Sequence, residues 1–351
     1  MQPSPHYGDP STANAHAAAD GSRVISLFVF NTDVHLHAYA PDGADPADPA
    51  VAAELDGALA ACRDRCLYFE RRLSRTRPDS DISRAHAASP DPVPVAPETA
   101  DLTRRALGYC AASGGRFDIT MGTVTSLWDF HAGTVPSRRD IACALPHVGF
   151  RHIAVGEGEG GAPTLAIDDP RTVLDLGGIA KGYVADDLAG LLAGRGVTRF
   201  AINLGGNVLV RGGRPGGPGS RAGATWRIGI VNPLDPAHSR AIVEVADGSV
   251  VTSGLHERRF TRGGITYHHI LDPADGMPAR TDLTSATIVA ARSIDCDGWS
   301  TTALMAGSRA ALDLIGGLPG IEAVLIDDAD RVSWTDGVAE RLSLVPTLPR
   351  L

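Results

Sequence analysis

Apolar residues in VISLFVFNTDVHLHAY (24–39) come first as a nearly unbroken run and then alternate with polar ones, the pattern of β-strand. A Pro/Asp/Ala linker follows. Leu55, Leu59, Cys62, Cys66, Phe69 and Leu73 then recur at spacings of four and three, one buried stripe of a helix over about residues 51–73. The segment 69–87 closes that helix in a polar turn rich in Ser and Arg, and SPDPVPVAP (89–97) has too many prolines for a helix interior and reads as a surface connection. A second helix is expected over about 99–113. Further on, strand, Gly-rich turn and helix alternate: strands at 200–210, 226–231, 241–245, 260–271, 285–290 and 322–326, helices at 180–193 and 297–315. Arg262, Gly263 and Gly264 predict a hairpin inside the fourth of these strands. Strands and helices mix without strict βαβ alternation, so the expected class is α+β, with mixed or antiparallel sheets and packed helices.

Composition narrows the function classes. With 351 residues, 43 % of them hydrophobic, the chain can bury one large core or two ordinary ones. Lys and Arg total 32 against 41 acidic residues, a formal charge of −9, which argues against a nucleic-acid-binding module. No apolar run approaches the roughly 20 residues of a membrane span. The five cysteines are too scattered for a disulfide framework, and Cys62 and Cys66 read as small buried apolar residues on one helix face, not as metal ligands. Residues 1–22 lack a basic stretch followed by an apolar one; they read as a flexible polar tail, with the catalytic unit spanning 23–351 and a cytoplasmic location expected. The Gly/Pro-rich stretch 212–224 reads as a mobile loop, since no lysine and no helix follow it.

Five segments carry candidate chemistry. In VLDLGGIAKGYVAD (173–186) an apolar run enters a Gly-Gly turn and a helix with Lys181 leaves it. Such a start exposes backbone N–H groups and the positive end of a helix dipole, either an anion site or a plain strand-to-helix corner. In DCDGWSTTALMAG (295–307), Asp297 and Thr301 stand four apart, so both oxygens share one helix side; this is either hard-oxygen chemistry suited to magnesium or a helix N-cap at Asp297. YHHILDPADGMP (267–278) places two adjacent histidines on a strand with rings on opposite faces, so that one can be core while the other either meets a site and takes a hydroxyl proton or is structural. GGRFDITMGTVTSLWDF (114–130) supplies aromatic residues either for a planar ring or for ordinary core. FAINLGGNVLVRGG (200–213) is a strand broken at Gly205–Gly206, by a bulge or by a close backbone approach to a ligand.

Taken in order, FVFNTDVHLHAY, LSRTRPDSDISRAH, RFDITMGTVTSLWDF, DLGGIAKGYVAD, INLGGNVLVRG, WRIGIVNP, SVVTSGLHERRF, YHHILDPADGMP and the Asp297/Thr301 helix resemble the ApbE family of FAD:protein FMN transferases over about four-fifths of the chain. The resemblance implies a single catalytic unit that takes FAD and Mg²⁺, splits the FAD pyrophosphate, passes FMN to a threonine hydroxyl of an acceptor flavoprotein and releases AMP. By motif, Gly178 resembles the residue whose carbonyl meets magnesium, Asp297 and Thr301 its side-chain ligands, and the Ser300 carbonyl a fourth. Arg116, Phe117, Asp118, Asp175, Lys181 and Ile270 resemble FAD contacts. His269 resembles the family's proton acceptor, with His268 as second choice and Lys181 as a charge beside the reaction.

The chain departs from the family pattern twice, at positions that the resemblance places by the cofactor. Phe30–Asn31–Thr32 replaces Met-Gly-Thr, and Thr76 stands where a Tyr often follows Ser-Arg; if that ring stacks on the cofactor, its loss weakens FAD binding by about 0.5–1.5 kcal/mol unless another aromatic takes its place. The stretch DLTSAT (282–287) superficially matches the acceptor sequence of such enzymes but is one residue short and reads as a strand start. The competing readings are an FAD pyrophosphatase, in which water replaces the acceptor, and an FAD-binding protein without turnover. A Rossmann oxidoreductase lacks its glycine fingerprint here.

Overall fold

The computed structural model describes residues 9–214 and 224–346. In chain order, strands β1 (His16–Ala17), β2 (Arg23–Val29) and β3 (Thr32–Ala38) precede helices α1 (Pro49–Leu73) and α2 (Asp81–Ala88), strand β4 (Val93–Pro94) and helix α3 (Pro97–Ala112). Short helices α4 (Gly122–Thr125) and α5 (Arg138–Ala144), strands β5 (Ile153–Glu157) and β6 (Pro163–Ile167) and helix α6 (Ala180–Gly194) follow. Next come β7 (Phe200–Leu204), β8 (Asn207–Arg211), β9 (Trp226–Asn232), β10 (Asp235–Val245), β11 (Gly248–Gly254), β12 (Arg259–Arg262), β13 (Ile265–His268) and β14 (Leu283–Ala290). The chain closes with α7 (Ser293–Ala306), α8 (Ser308–Gly316), β15 (Ile321–Asp327), β16 (Val332–Trp334) and β17 (Leu342–Leu344).

Nine strands form one sheet in the order β1-β2-β3-β7-β8-β11-β14-β15-β16, with every neighbouring pair antiparallel. One face carries helices. Ile25, Leu27, Leu36 and Ile202 pack on the α1 stripe and on Val184 and Leu188 of α6, while Ala286, Ile288, Ala323 and Leu325 pack under α7 and α8. On the opposite face Val289, Val324 and Ile326 meet Trp226, Ile230 and Val243, which belong to the small β17-β10-β9 sheet. β14 and β15 are thus buried on both faces, whereas β3 and β7 alternate buried and half-buried positions. Helices and antiparallel sheets together make the α+β class expected from the sequence.

Several expectations need correction. The run 24–39 is a hairpin, not one strand: Phe30 and Asn31 take φ of 56° and 58°, a two-residue turn whose left-handed positions tolerate Asn. The 200–210 strand is likewise two, joined at Gly205–Gly206, and the close approach at Gly205 is to Thr32, whose Oγ1 would lie 1.9 Å from an added Cβ. The 297–315 helix begins four residues earlier, at Ser293, and breaks at Gly307 (φ 81°). Residues 89–97 include the short strand β4, paired with β6. Of the expected polar tail, residues 1–8 lie outside the described residues; from residue 9 the chain packs, with β1 extending the sheet edge and the Ala13 carbonyl accepting from Arg63 at 2.7 Å. In the 212–224 loop, Arg214 N–H donates to the Ala224 carbonyl and residues 215–223 lie outside the described residues. Thr287 is fully buried in β14 and hydrogen-bonded to Thr252 at 2.8 Å, so the DLTSAT stretch is structural.

Candidate active site

The Gly-Gly turn before α6 and the start of α7 lie against each other, joined by two reciprocal contacts. The Gly182 N–H, in the first turn of α6, donates to Asp297 Oδ2 of α7 at 2.5 Å. In return, the first two N–H groups of α7, on Ser293 and Ile294, donate to the Asp186 carboxylate of α6 at 2.8 and 3.0 Å. Neither helix has a side-chain cap from its own N-cap residue, Ile179 or Arg292. Each therefore relies on the other's carboxylate to satisfy orphan N–H groups and to meet the positive end of its dipole. Gly182 permits the approach: an added Cβ would lie 2.5 Å from the Ser293 carbonyl oxygen.

Asp297 does not cap its own helix. It is 5 % exposed, and burial pushes its carboxyl above the usual range, opposed by the nearby Lys181 ammonium, the Gly182 N–H and the Asn207 amide. Asn207 accepts from Ser293 Oγ at 2.7 Å, which also takes part in a contact with Ser249, yet its Nδ2 completes no hydrogen bond among the described residues. One turn further along α7, Ser300 and Thr301 meet β11: Ser253 Oγ donates to Ser300 Oγ at 2.8 Å and lies 3.3 Å from Thr301 Oγ1. A buried carboxylate with one oxygen outside the cap contact and a hydroxyl one turn away are donors of the hard-oxygen kind that suits magnesium, and Gly178 is exposed at the turn before α6. Among the described residues no group of three or more His, Cys, Asp or Glu is placed to hold a metal.

The remaining candidates fall into two sets. Near the turn, the buried Phe117 ring lies 3.2 Å from where a Gly178 Cβ would stand. Asp175 binds the Gly177 N–H at 2.9 Å and pairs with Arg75 at 3.2 Å, and Arg75 also donates to Ser126. Lys181 sits close enough to act electrostatically on both Asp297 and His269. Other residues have structural employment. Asp118 accepts from Thr120 and from the Phe150 N–H, Phe30 N–H donates to Glu70, Thr76 is exposed and bonded to Ser74, and Ile270 is buried beneath α7. Arg116 is exposed. Trp128 and Phe130 stack on one another, 5.6 Å apart, within a small core cluster.

β13 ends at His268, which is buried with no partner on Nδ1 among the described residues, and His269 follows it with Nδ1 3.4 Å from the Arg258 carbonyl oxygen. Burial, with the neighbouring Arg258 and Lys181 charges, pushes the His269 imidazole down to about 4, so at neutral pH it is uncharged and able to accept a proton. The sign of the linked stability follows. Below the free value of 6.5 the unfolded chain takes up a proton that the folded chain refuses until about pH 4, so stability held above 6.5 is lost as pH falls through that window. Replacing His269 with Gln is therefore expected to flatten the fall of the ligand-free melting temperature between these two pH values; parallel curves for the two proteins would contradict the depressed imidazole.

The sequence reading missed Asn207, Ser253, Asp186 and Gly182. Asn207, Gly182 and Asp186 lie inside segments already singled out, but what they touch is 86 or more residues away and left no local signal. The ApbE family model matches residues 30–325. An "FAD:protein FMN transferase" of Treponema pallidum is 35% identical over 302 residues, 84% of this chain and 83% of the relative. Among solved structures, the ApbE protein of Thermotoga maritima superposes with a TM-score of 0.77 at 23% identity, covering 91% of this chain and 99% of that one. The flavin transferase ApbE of Vibrio cholerae gives 0.76 at 23% identity, over 93% and 99%.

Proposed function

This chain belongs to the ApbE family, and from that premise we propose that it is an enzyme that transfers FMN from FAD to a threonine hydroxyl of an acceptor protein, with release of AMP and with Mg²⁺ as cofactor. Flavin transfer to protein is the activity carried by the names of its relatives. The observation that supports this reading most is the contact of Gly182 with Asp297, which puts the Gly-Gly turn, Lys181 and the oxygen-bearing side of α7 at one place. Asp297, Thr301 and the carbonyls of Gly178 and Ser300 are the groups that would hold the cation, which when bound supplies charge neutralisation on the pyrophosphate oxygens.

The chain's own residues have separable tasks. Lys181 and the first turn of α6 offer positive charge to the pyrophosphate, and Phe117, packed against Gly178, holds the turn in shape. His269, uncharged at neutral pH, accepts the proton of the acceptor hydroxyl. The hydroxyl oxygen bonds to the phosphorus of the FMN half, the bond from that phosphorus to the bridging oxygen breaks, and AMP departs with the bridging oxygen. Positioning and charge account for most of the rate in such a transfer. Arg116, Asp118, Asp175 and Ile270 complete the proposed FAD contacts, with His268 behind His269. The described residues from 9 onward act as one catalytic unit.

The test is incubation with FAD, Mg²⁺ and an acceptor flavoprotein, followed by mass measurement of the acceptor and quantitation of AMP. Covalent FMN and AMP in equal amounts are expected; AMP and free FMN without modified acceptor would make the protein a pyrophosphatase, and bound FAD with no AMP a carrier. His269→Gln is expected to slow transfer about 10²–10⁴-fold with FAD affinity unchanged.

A further inference from the structure

Strands β12 and β13 pair only with each other, a ribbon whose two outer edges have no ladder partner among the described residues. One face anchors it. The Phe260 and Tyr267 rings stack 5.3 Å apart, and they meet Phe130 and Trp128 at 5.9 and 5.7 Å. Arg259, Thr261 and Thr266 are exposed, as is Ile265 at the tip, at 58 %. Arg258, Arg259 and Arg262 are exposed and form no ion pair among the described residues, and no Asp or Glu stands from 258 to 271, although the whole chain carries −9. Glu257 just before this stretch and Asp272 just after it are the adjoining carboxylates. The base of the ribbon is closed by the His269 N–H, which donates to the Arg258 carbonyl at 3.1 Å.

A positively charged ribbon with free edges, on an acidic protein, runs directly into the proposed proton acceptor. Free edges accept an extended segment through backbone hydrogen bonds, and local charge selects its composition. We infer that the β12–β13 ribbon is the docking surface for the acceptor protein, and that it takes an acidic, extended segment leading to the reactive hydroxyl. This rests on the transferase reading and adds to it the class of partner sequence. Arg259 and Arg262 are positioning residues here: they guide the segment and touch no reacting atom.

The experiment uses two rhodamine-labelled peptides of equal length with a central threonine, one flanked by Asp and Glu and the other by Lys, the label keeping clear of flavin emission. Binding to the full, FAD-free protein is read by anisotropy, and FMN transfer with FAD and Mg²⁺ by mass. The acidic peptide is expected to bind at least about tenfold more tightly than the basic one, less so at high salt. An Arg259→Glu/Arg262→Glu protein is expected to invert that preference, and Arg259→Gln/Arg262→Gln to erase it. In transfer the charge reversal raises KM for the acidic peptide at nearly constant kcat, and FAD cleavage without peptide stays as in the wild type. Equal affinities for the two peptides, or a preference unmoved by charge reversal, would overturn the assignment. Binding with the expected preference but no covalent flavin would count against the transferase reading alone, since binding is measured without FAD.

Discussion

Asp297→Asn is expected to lower flavin transfer at least about 10³-fold while the ligand-free protein melts no lower than the wild type. The amide keeps an oxygen that accepts from the Gly182 N–H, so the cap on α6 survives the change. What disappears is a buried negative charge that burial already disfavours. For a carboxyl raised in the fold above 3.8, the stability it contributes is present below that value and lost as pH rises through its folded pKa. At pH 7 the wild type therefore carries a cost that the amide lacks. Melting curves with and without Mg²⁺ and FAD separate the two effects: the wild type is expected to gain stability from the pair of ligands and the variant to gain little. A variant that keeps both its turnover and its Mg²⁺-dependent shift would remove Asp297 from the proposed cation site.

Gly182→Ala should damage fold and catalysis together. The new methyl would stand 2.5 Å from the Ser293 carbonyl oxygen and 2.8 Å from Ile294 Cα, both backbone atoms that cannot rotate away. The helices must separate, at a cost of roughly 1–3 kcal/mol. That separation stretches the Gly182–Asp297 contact and the two Asp186 contacts at once. A displacement of about 1 Å in a positioning contact costs on the order of 10²-fold in rate, so a fall of that size in FMN transfer is expected together with a lower denaturation midpoint. A Gly190→Ala control, on the same helix with open space around the added Cβ, should leave both quantities nearly unchanged. Equal behaviour of the two variants would show that the helix crossing does not govern the site.

The parts of this fold that were readable in advance are those with a local cause. The α1 stripe is buried along Leu55, Leu59, Cys62, Cys66 and Phe69, as its spacing of four and three requires. The Arg262–Gly263–Gly264 turn makes the expected hairpin, because two glycines with φ of 59° and 78° suit it. The misreadings have physical reasons too. The turn at Phe30–Asn31 contains no glycine and sits inside an apolar run, so two strands looked like one. The start of α7 was placed late because its first N–H groups are satisfied by Asp186 from another helix, which leaves no capping residue at the boundary. For the site, the spacing of Asp297 and Thr301 was visible, whereas the fit of Asn207 and Ser253 around them exists only after three distant segments pack. The placing of Phe30 and Thr76 by the cofactor rests on family resemblance alone; the Phe30 N–H donates to Glu70 of α1 and Thr76 lies in an exposed turn, and both positions stay in the proposed FAD set.

The mutual capping of α6 and α7 also bears on when the protein becomes able to act during its own synthesis. A ribosome that has completed α6 and the strands up to residue 290 has produced Lys181 and Asp186 but neither Asp297 nor the N–H groups that Asp186 receives. Until α7 leaves the exit tunnel, the first turn of α6 lacks its tertiary acceptor and only one side of the proposed site exists. An unfinished chain is thus expected to lack the proposed transferase activity until α7 has packed on α6.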